Sequence, residues 1–226
     1  MTTFDLSGGD IRALNKALQG RDGNIQTRFS VENPMGQHAL AAGCMHEIDV
    51  EINGHVGYYC AGMNQNAHIV VNGNAGVGVA ENMMSGSVRV RGDASQSAAA
   101  TAHGGLLVVE GNASARCAIS LKGADVVVGG SVGHNSAFMA QAGHLVVCGD
   151  AGDGLGDSIY EAVIYVRGEV GSLGADCVEK EMTDVHVENL AALLKRGNIE
   201  TDAKAFRRYG SARRLYNFDV DNVGQY

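Results

Sequence analysis

Short apolar runs that end in glycine recur along this chain at a constant interval of 19 residues. Six successive intervals are identical, and the seven units cover more than half of the 226 residues. An unbroken period of this length is typical of a solenoid, in which each unit is one coil stacked on the previous coil. We call the last residue of each run its marker glycine; these residues are Gly54, Gly73, Gly92, Gly111, Gly130, Gly149 and Gly168.

Within each unit, apolar and variable residues alternate. Aliphatic residues stand four and two positions before every marker glycine, from Val50 and Ile52 in the first unit to Ile164 and Val166 in the last. A period of two predicts a β-strand with one face in the core. Propeller blades and leucine-rich repeats have other lengths or spacings. The sequence therefore predicts an all-β fold, a right-handed parallel β-helix of about seven 19-residue coils, each with three short strands, and with short helical caps at both ends.

Glycine is abundant in this chain and proline is nearly absent, at 32 residues against one. We expect the glycines at the corners of the coils, where glycine alone adopts φ > 0 without strain. Proline is disfavoured because it lacks the N–H that the ladder between coils requires. The predicted corner residues are the marker glycines, a second column formed by Gly57, Gly76, Gly133, Gly152 and Gly171, and a third column that includes Gly86, Gly105 and Gly143; Ser95 and Ser114 replace glycine in the second column.

The segments that flank the coils predict caps, because a solenoid end would otherwise expose unpaired backbone and core. We divide the chain into an N-terminal cap and entry segment (1–47), the β-helix (48–185) and a helical C-terminal cap with an Arg-rich tail (186–226). The expected helices are Asp10–Gln19, a short run within Val31–Gly43, Leu190–Arg196 and Asp202–Tyr209, while Val185 and Val187 are expected to extend the strand alternation.

Charge and composition narrow the classes of function. A net charge of −8 disfavours nucleic-acid binding. The lack of a long apolar segment and of a signal peptide predicts a cytoplasmic protein without membrane contact. Cys44, Cys60, Cys117, Cys148 and Cys177 lack disulfide or zinc spacing, so we expect free thiols. The acidic stretch 150–157 occurs once and is interpreted as a solvated corner, because calcium β-rolls repeat such a segment.

Residues that carry chemistry do not form a recognisable set. The eight histidines lack metal-ligand spacing, and only His68 and His144 occupy the same position in their coils. The glycine-rich segments do not complete a dinucleotide-binding fingerprint. We therefore predict no catalytic residue, no bound cofactor and no metal in this chain. Outward residues of the strands form an apolar strip (Val70, Val108, Val127 and Val146) that we expect to contact another protein.

The coils as a group resemble a known module. The G-x-x-G pairs that follow V-x-V strands (Gly54/Gly57, Gly73/Gly76, Gly130/Gly133, Gly149/Gly152 and Gly168/Gly171) resemble the GXGXG domain of the large subunit of glutamate synthase. Residues 33–43 are similar to the segment that leads into that domain. Residues 213–226 look like the tail of stand-alone copies such as the small GXGXG subunit of N-methylglutamate synthase.

This resemblance implies a scaffold subunit without catalytic residues of its own. The implied partners are a glutamine-amidotransferase-like subunit and an FMN-binding glutamate-synthase-barrel subunit, the latter with FMN and an iron–sulfur cluster as its expected cofactors. The implied reaction converts methylamine and glutamate to N-methylglutamate and ammonia. Two alternatives stay open. The module also resembles the C subunit of a formylmethanofuran dehydrogenase or formyltransferase/hydrolase complex, and a self-sufficient carbohydrate-binding β-helix is the other, although aromatic residues are only 5% and tryptophan is absent.

Overall fold

A parallel β-solenoid forms the body of the molecule. The computed structural model describes residues 1–20, 23 and 26–212, and within them one sheet of 11 strands runs the length of the solenoid. The first nine strands pair in parallel and in chain order, so each coil lies directly on its predecessor. The last two strands fold back, because β11 pairs antiparallel with β9 and β10 pairs antiparallel with β11. The predicted all-β parallel solenoid is confirmed.

Within the described residues the strands are short, and two helices flank them. The strands are β1 (Thr2–Asp5), β2 (Arg28–Glu32), β3 (Asp49–Asn53), β4 (His68–Val71), β5 (Ser87–Val90), β6 (Leu106–Val109), β7 (Lys122–Val128), β8 (Ala142–Val147), β9 (Val163–Val166), β10 (Cys177–Lys180) and β11 (Arg207–Ser211). The helices are α1 (Ile11–Leu18) and α2 (Asp184–Arg196), and single 3-10 turns occupy Leu6–Gly8 and Ala203–Ala205.

The strand register reproduces the sequence period. From β3 to β9 the paired residues stand 19 positions apart, as in Val50↔Ile69 and Leu145↔Ile164, except at an irregularity in β7, where Lys122 pairs with Ala142. All fourteen aliphatic residues predicted to face the core are at most 1% exposed. β1 and β2 add two earlier strands to the stack, with pairings such as Phe4↔Val31 and Val31↔Ile52. Their intervals of 27 and 21 residues depart from the period, and the repeat in the sequence therefore did not reveal them.

Each coil has three sides, and they are built differently. The first side is the strand, and the second is a column of single bridges two residues after the marker glycines, such as Ala94↔Ala113. The third side is not the strand that the sequence predicts. Residues five, seven and nine positions after the marker glycine have positive φ there, as in Ser97 (61°), Ala99 (55°) and Thr101 (55°).

Alternating left-handed residues let this third side bond to both neighbouring coils. Ser97 and Thr101 donate their N–H groups to Ala115 and Ile119 of the next coil, at 3.0 and 2.9 Å, whereas Ala99 donates to Val79 of the previous coil at 2.8 Å. A left-handed L-residue costs about 1–2 kcal/mol. A buried unpaired N–H costs about 1–3 kcal/mol, so the hydrogen bonds offset the strain.

The marker glycines serve a purpose that the sequence analysis did not foresee. Positive φ was expected at all of them, but only Gly54 has it, at 140°. At the other six marker glycines, the space where a Cβ atom would stand is occupied by atoms of the preceding coil. At most of them the nearest of these atoms belongs to the residue that follows that coil's own marker glycine. The Oδ1 atom of Asp93, for example, accepts a 2.7 Å hydrogen bond from the Asn112 N–H and thereby fills the space beside Gly111. The glycine is required by close approach and not by its φ.

The residues that follow the marker glycines form a ladder of side-chain-to-backbone hydrogen bonds. Each side chain accepts a bond of 2.7–2.9 Å from the backbone N–H of its equivalent one coil later. Every member offers an acceptor atom, which is the signal that the sequence carried. The accepting residues are His55, Asn74, Asp93, Asn112, Ser131 and Asp150.

The other two glycine columns have different explanations, which are close backbone approach in the second column and positive φ in the third. In the second column a Cβ on Gly76 would lie 2.5 Å from the carbonyl carbon of Gly57, so backbone contact requires glycine there as well, and positive φ was again the wrong reason. In the third column Gly86, Gly105 and Gly143 have φ values of 79°, 87° and 93°. The prediction of positive φ is correct for these three residues.

The N-terminal cap is largely as predicted. α1 begins after Asp10, whose Oδ1 accepts a 2.9 Å hydrogen bond from the Ala13 N–H. Its buried residues Leu14 and Leu18 join the core at the open end of the first coils. The helical run expected within 31–43 is wrong. Ala39 and Ala41 have positive φ there, and their segment is the third side of an additional coil.

The C-terminal segment differs more from the prediction. Helix α2 starts at Asp184, so Val185 and Val187 belong to a helix and not to a strand, while the helix expected at Leu190–Arg196 is confirmed as its second half. The helix expected at 202–209 is wrong. A 3-10 turn is followed by β11, because Arg207 and its neighbours pair with β9 and the Tyr209 side chain is buried against the last coils.

Gly111→Ala should destabilise the fold by about 1–3 kcal/mol, because the added Cβ overlaps the Asp93 carboxylate and the Gly92 carbonyl. Urea unfolding followed by circular dichroism measures the change. Gly8→Ala is the matched control, since a Cβ at Gly8 meets nothing within 4 Å and φ is not positive. Equal stability of the two variants would show that close approach does not select glycine at position 111.

Candidate functional site

The outer face of the sheet is closed in its C-terminal half by the chain itself. Leu190, Leu193 and Leu194 of α2, together with Phe206, pack against Val108, Val127 and Val146 and the neighbouring outward residues of β6–β9. These three valines are at most 2% exposed. The expectation that they form a partner interface is therefore wrong, because α2 covers the strip. Val70 alone of the four stays half-buried outside this cluster.

The N-terminal half of the same face is polar and open. A shallow cavity of about 410 Å³ lies over β2–β5, lined by Met1, Arg28, Phe29, Asp49, Val50, Glu51, His68, Val70 and Arg91. Several of its charged groups are already paired. The Arg28 Nε lies 3.5 Å from Asp49 Oδ2, and Arg91 Nη1 lies 3.2 Å from Glu110 Oε1. The open half of the sheet face is therefore lined by charged side chains, several of which are already engaged within the chain.

One acid–base pair was missed from the sequence. His144 Nδ1 lies 2.8 Å from Asp125 Oδ1, and these residues occupy the same position in adjacent coils. Arg196 at the end of α2 donates a 2.6 Å hydrogen bond to Asp125 Oδ2, and the His144 ring stacks on Tyr165 at 6.3 Å between centroids. Both carboxylate oxygens are therefore engaged. The signal was an aspartate and a histidine 19 residues apart.

The electrostatics of this cluster favour an ionised Asp125. Burial alone raises the pKa of the carboxyl, but the hydrogen bonds and charges of His144 and Arg196 outweigh burial and leave the pKa below its usual value. A carboxylate held ionised by an arginine is a poor proton acceptor near neutral pH. The cluster therefore acts as a clamp that ties the C-terminal end of α2 to the sheet.

The five cysteines are free, as predicted, and all are buried. Burial raises the pKa of the Cys44, Cys60 and Cys117 thiols to about 12 and that of Cys177 to about 11. It also raises the pKa of Cys148. Because the thiolate is the reactive species, thiols in this state are inert at neutral pH.

Neither a cluster of metal ligands nor a membrane-spanning helix is found in the part of the chain that the structure describes. Within it, no three His, Cys, Asp or Glu residues come together in a way that would bind a metal ion. Of the helices in residues 1–20 and 26–212, none combines the length and the apolar character needed to cross a membrane.

Two of the four arginines of the predicted tail lie in the described part of the chain. Arg207 and Arg208 donate hydrogen bonds to the backbone carbonyls of Gly168 and Glu181. Arg213 and Arg214 lie outside the described residues, as does the tail-like segment 213–226.

The thiols provide a direct test of the packed interior. Native protein should react with a thiol reagent such as DTNB at pH 8 at least about a hundredfold more slowly than a small-molecule thiol, because the cysteines are buried and their pKa values are raised. All five should react once guanidinium unfolds the chain. Rapid labelling of one or more cysteines in the folded protein would contradict the packing.

Asp125→Asn should lower the free energy of unfolding by about 1–2 kcal/mol at pH 7, because the variant loses its charged hydrogen bonds to His144 and Arg196. The folded-state pKa of Asp125 is depressed, so its contribution is present above the unfolded pKa near 4 and disappears as the pH falls through the folded value. Chemical denaturation at pH 7 and pH 3 measures this difference.

Asp49→Asn is the control for Asp125→Asn. Asp49 pairs with Arg28 at 3.5 Å, but both side chains are more than half exposed, and the change in stability should stay within about 0.5 kcal/mol at either pH. An equal effect of the two substitutions, or a loss for Asp125→Asn that is no smaller at pH 3 than at pH 7, would rule out the clamp.

Comparison with known proteins gives one informative relative. No protein-family model matches the chain. The protein GlxC of Rhizobium meliloti (strain 1021) is 54% identical over 228 residues, and the alignment covers 100% of both chains. An identity of this size over the full length means that the two proteins share their fold and their repeat. The chain belongs to the GlxC protein family.

Proposed function

We propose that this chain is the structural subunit of a multi-subunit glutamate-synthase-like enzyme and that it carries none of the catalytic residues. The single observation that supports this function best is that the reactive side chains are buried or hydrogen-bonded within the chain itself. The cysteines are buried, and the close His144–Asp125 pair is bound by Arg196 and serves to hold α2. A rigid solenoid whose reactive side chains stabilise its own fold suits a scaffold function.

The enzyme we propose is an N-methylglutamate synthase, which forms N-methylglutamate and ammonia from methylamine and glutamate. The glycine-phased coils that resemble the GXGXG domain support this choice, and the stacked parallel register is the architecture that such coils require. In this proposal FMN and the iron–sulfur cluster belong to a barrel subunit, and glutamine-amidotransferase-like chemistry belongs to a third subunit. The alignment with GlxC covers 100% of both chains, so every coil of this solenoid lies within the region of similarity.

Affinity purification of the chain from its native cells, followed by native mass spectrometry, tests the proposal. The expected result is a complex with an FMN-barrel subunit and an amidotransferase-like subunit, and turnover of methylamine and glutamate by the complex only. The purified single chain should bind no flavin and show no turnover. Stoichiometric flavin in the isolated chain would contradict the proposal, and a metallohydrolase-like partner would instead support a formylmethanofuran dehydrogenase-type complex.

A further inference from the structure

Two of the seven marker glycines follow an asparagine. These Asn-Gly dipeptides, Asn53–Gly54 and Asn72–Gly73, occupy the same position in successive coils, and the sequence contains no others. The remaining marker glycines follow arginine, glutamate, glycine or cysteine. Asparagine is among the thermolabile residues of proteins. It is most open to attack by the next backbone nitrogen when that residue is glycine, because glycine has no side chain that hinders the approach.

The peptide unit between Asn72 and Gly73 lies outside the hydrogen-bond ladder that joins the coils. From Gly92 to Gly168, each marker glycine donates its N–H to the carbonyl of the marker glycine one coil earlier, at 2.8–3.1 Å. Among the described residues, the Gly73 N–H donates no backbone hydrogen bond and the Asn72 carbonyl accepts none. This peptide unit can therefore rotate without breaking a backbone hydrogen bond. Both residues are partly exposed, so water reaches them.

Asn72 and Asn53 differ in how the backbone holds them. Gly54, like Gly73, donates no backbone hydrogen bond within the described part of the chain, so the difference lies in the asparagines. Asn53 is the last residue of β3 and pairs with Glu32 of β2, whereas Asn72 lies in a bend beyond the end of β4. Ring closure requires the asparagine backbone to leave its extended conformation, which costs less in a bend than in a paired strand.

We propose that Asn72 is a site of spontaneous deamidation in the folded protein. Hydroxide removes the proton of the Gly73 N–H, and the nitrogen attacks Asn72 Cγ. A bond forms between these two atoms, the bond from Cγ to Nδ2 breaks, and Nδ2 leaves as ammonia with a proton from water. The resulting succinimide takes up one water and opens to aspartate or isoaspartate. The overall reaction consumes one water and releases one ammonia, and it needs no oxidant, metal or enzyme.

Deamidation would change a chain of hydrogen bonds on the open half of the sheet face. Asn72 Nδ2 donates to Glu51 Oε1 and to Asn53 Oδ1, both at 2.7 Å, and Asn53 Nδ2 donates in turn to Glu32 Oε1 at 2.7 Å. A carboxylate at position 72 cannot donate, and it stands against the Glu51 carboxylate. The isoaspartate form also adds one backbone atom to a coil whose register with its neighbours is fixed. The modification should therefore loosen the stack between β3 and β5.

Peptide mapping by mass spectrometry of the isolated full chain, held at pH 8, tests the assignment. Labelling by an isoaspartate-specific methyltransferase identifies the rearranged product. In the folded chain Asn72 should deamidate at a rate within about tenfold of its rate in the urea-unfolded chain, because its peptide unit opens at little cost. The rate should rise with hydroxide concentration.

Asn53 is the matched control within the same molecule, because it also precedes glycine and occupies the same position in its coil. The two asparagines should react alike in the unfolded chain, and Asn53 should react more slowly in the folded chain. Asn72 that stays intact in the folded chain while the unfolded chain deamidates would overturn the proposal. Equal rates at both asparagines in the folded chain would contradict the role of the bend. No partner subunit enters this test, so its result is independent of the proposed function.

The consequence for the stack is tested with Asn72→Asp, which reproduces the aspartate product. This variant should lower the Tm by about 2–4 °C, because it loses the two donated hydrogen bonds and faces Glu51. Asn82→Asp is the control, since Asn82 Oδ1 accepts a hydrogen bond from the Thr101 hydroxyl and a carboxylate accepts it equally well. An equal shift in the two variants would show that the contacts of Asn72 are not what deamidation disrupts.

Discussion

The stacking of coils one strand spacing apart is the constraint on which the rest of the structure depends. At a separation of about 4.8 Å, the backbone of one coil lies against the backbone of the next at every corner. The Asp93 carboxylate reaches across this gap to the Asn112 N–H, and no atom beyond hydrogen fits on the α-carbon of Gly111. The polar ladder and the first two glycine columns therefore both follow from this close stacking.

The same constraint distributes the outer surfaces of the molecule. Because every coil repeats its strand, its bridge and its left-handed segment in place, each side of the solenoid is a continuous face. The sheet face divides into a half that α2 covers, held by Arg196 and Asp125, and an open polar half around Arg28 and His68. The side formed by the left-handed segments is not covered by α2 and exposes both apolar and polar side chains, among them Tyr58, Gln96 and Arg116. A scaffold needs such large, rigid and chemically distinct faces, whereas an active site needs converging reactive groups.

Features of the fold and of the candidate surfaces were predictable from the sequence where they depend on residues close together in the chain. Features that depend on contacts between distant residues were not. The strand phase was predictable from residues such as Val50 and Ile52, because alternation within five residues reports which face is buried. The additional strands β1 and β2 were not, since their connections break the 19-residue period. The valine strip was recognised as a surface that must be covered, but the sequence did not indicate that α2 is what covers it. Val185 was assigned to a strand because Val185 and Val187, two positions apart, are compatible with the period of a strand as well as with a helix.

The sequence by itself determined the solenoid, its period and its register, because a repeat without insertions places equivalent residues in contact at each turn. Only the tertiary structure decided why the marker glycines are glycine, which face the C-terminal helix closes and how Asp125 meets both His144 and Arg196. These contacts join residues of neighbouring coils or, for Asp125 and Arg196, residues 71 positions apart in the chain. Their geometry depends on how the stacked backbones approach each other. Composition and spacing carry no record of that approach.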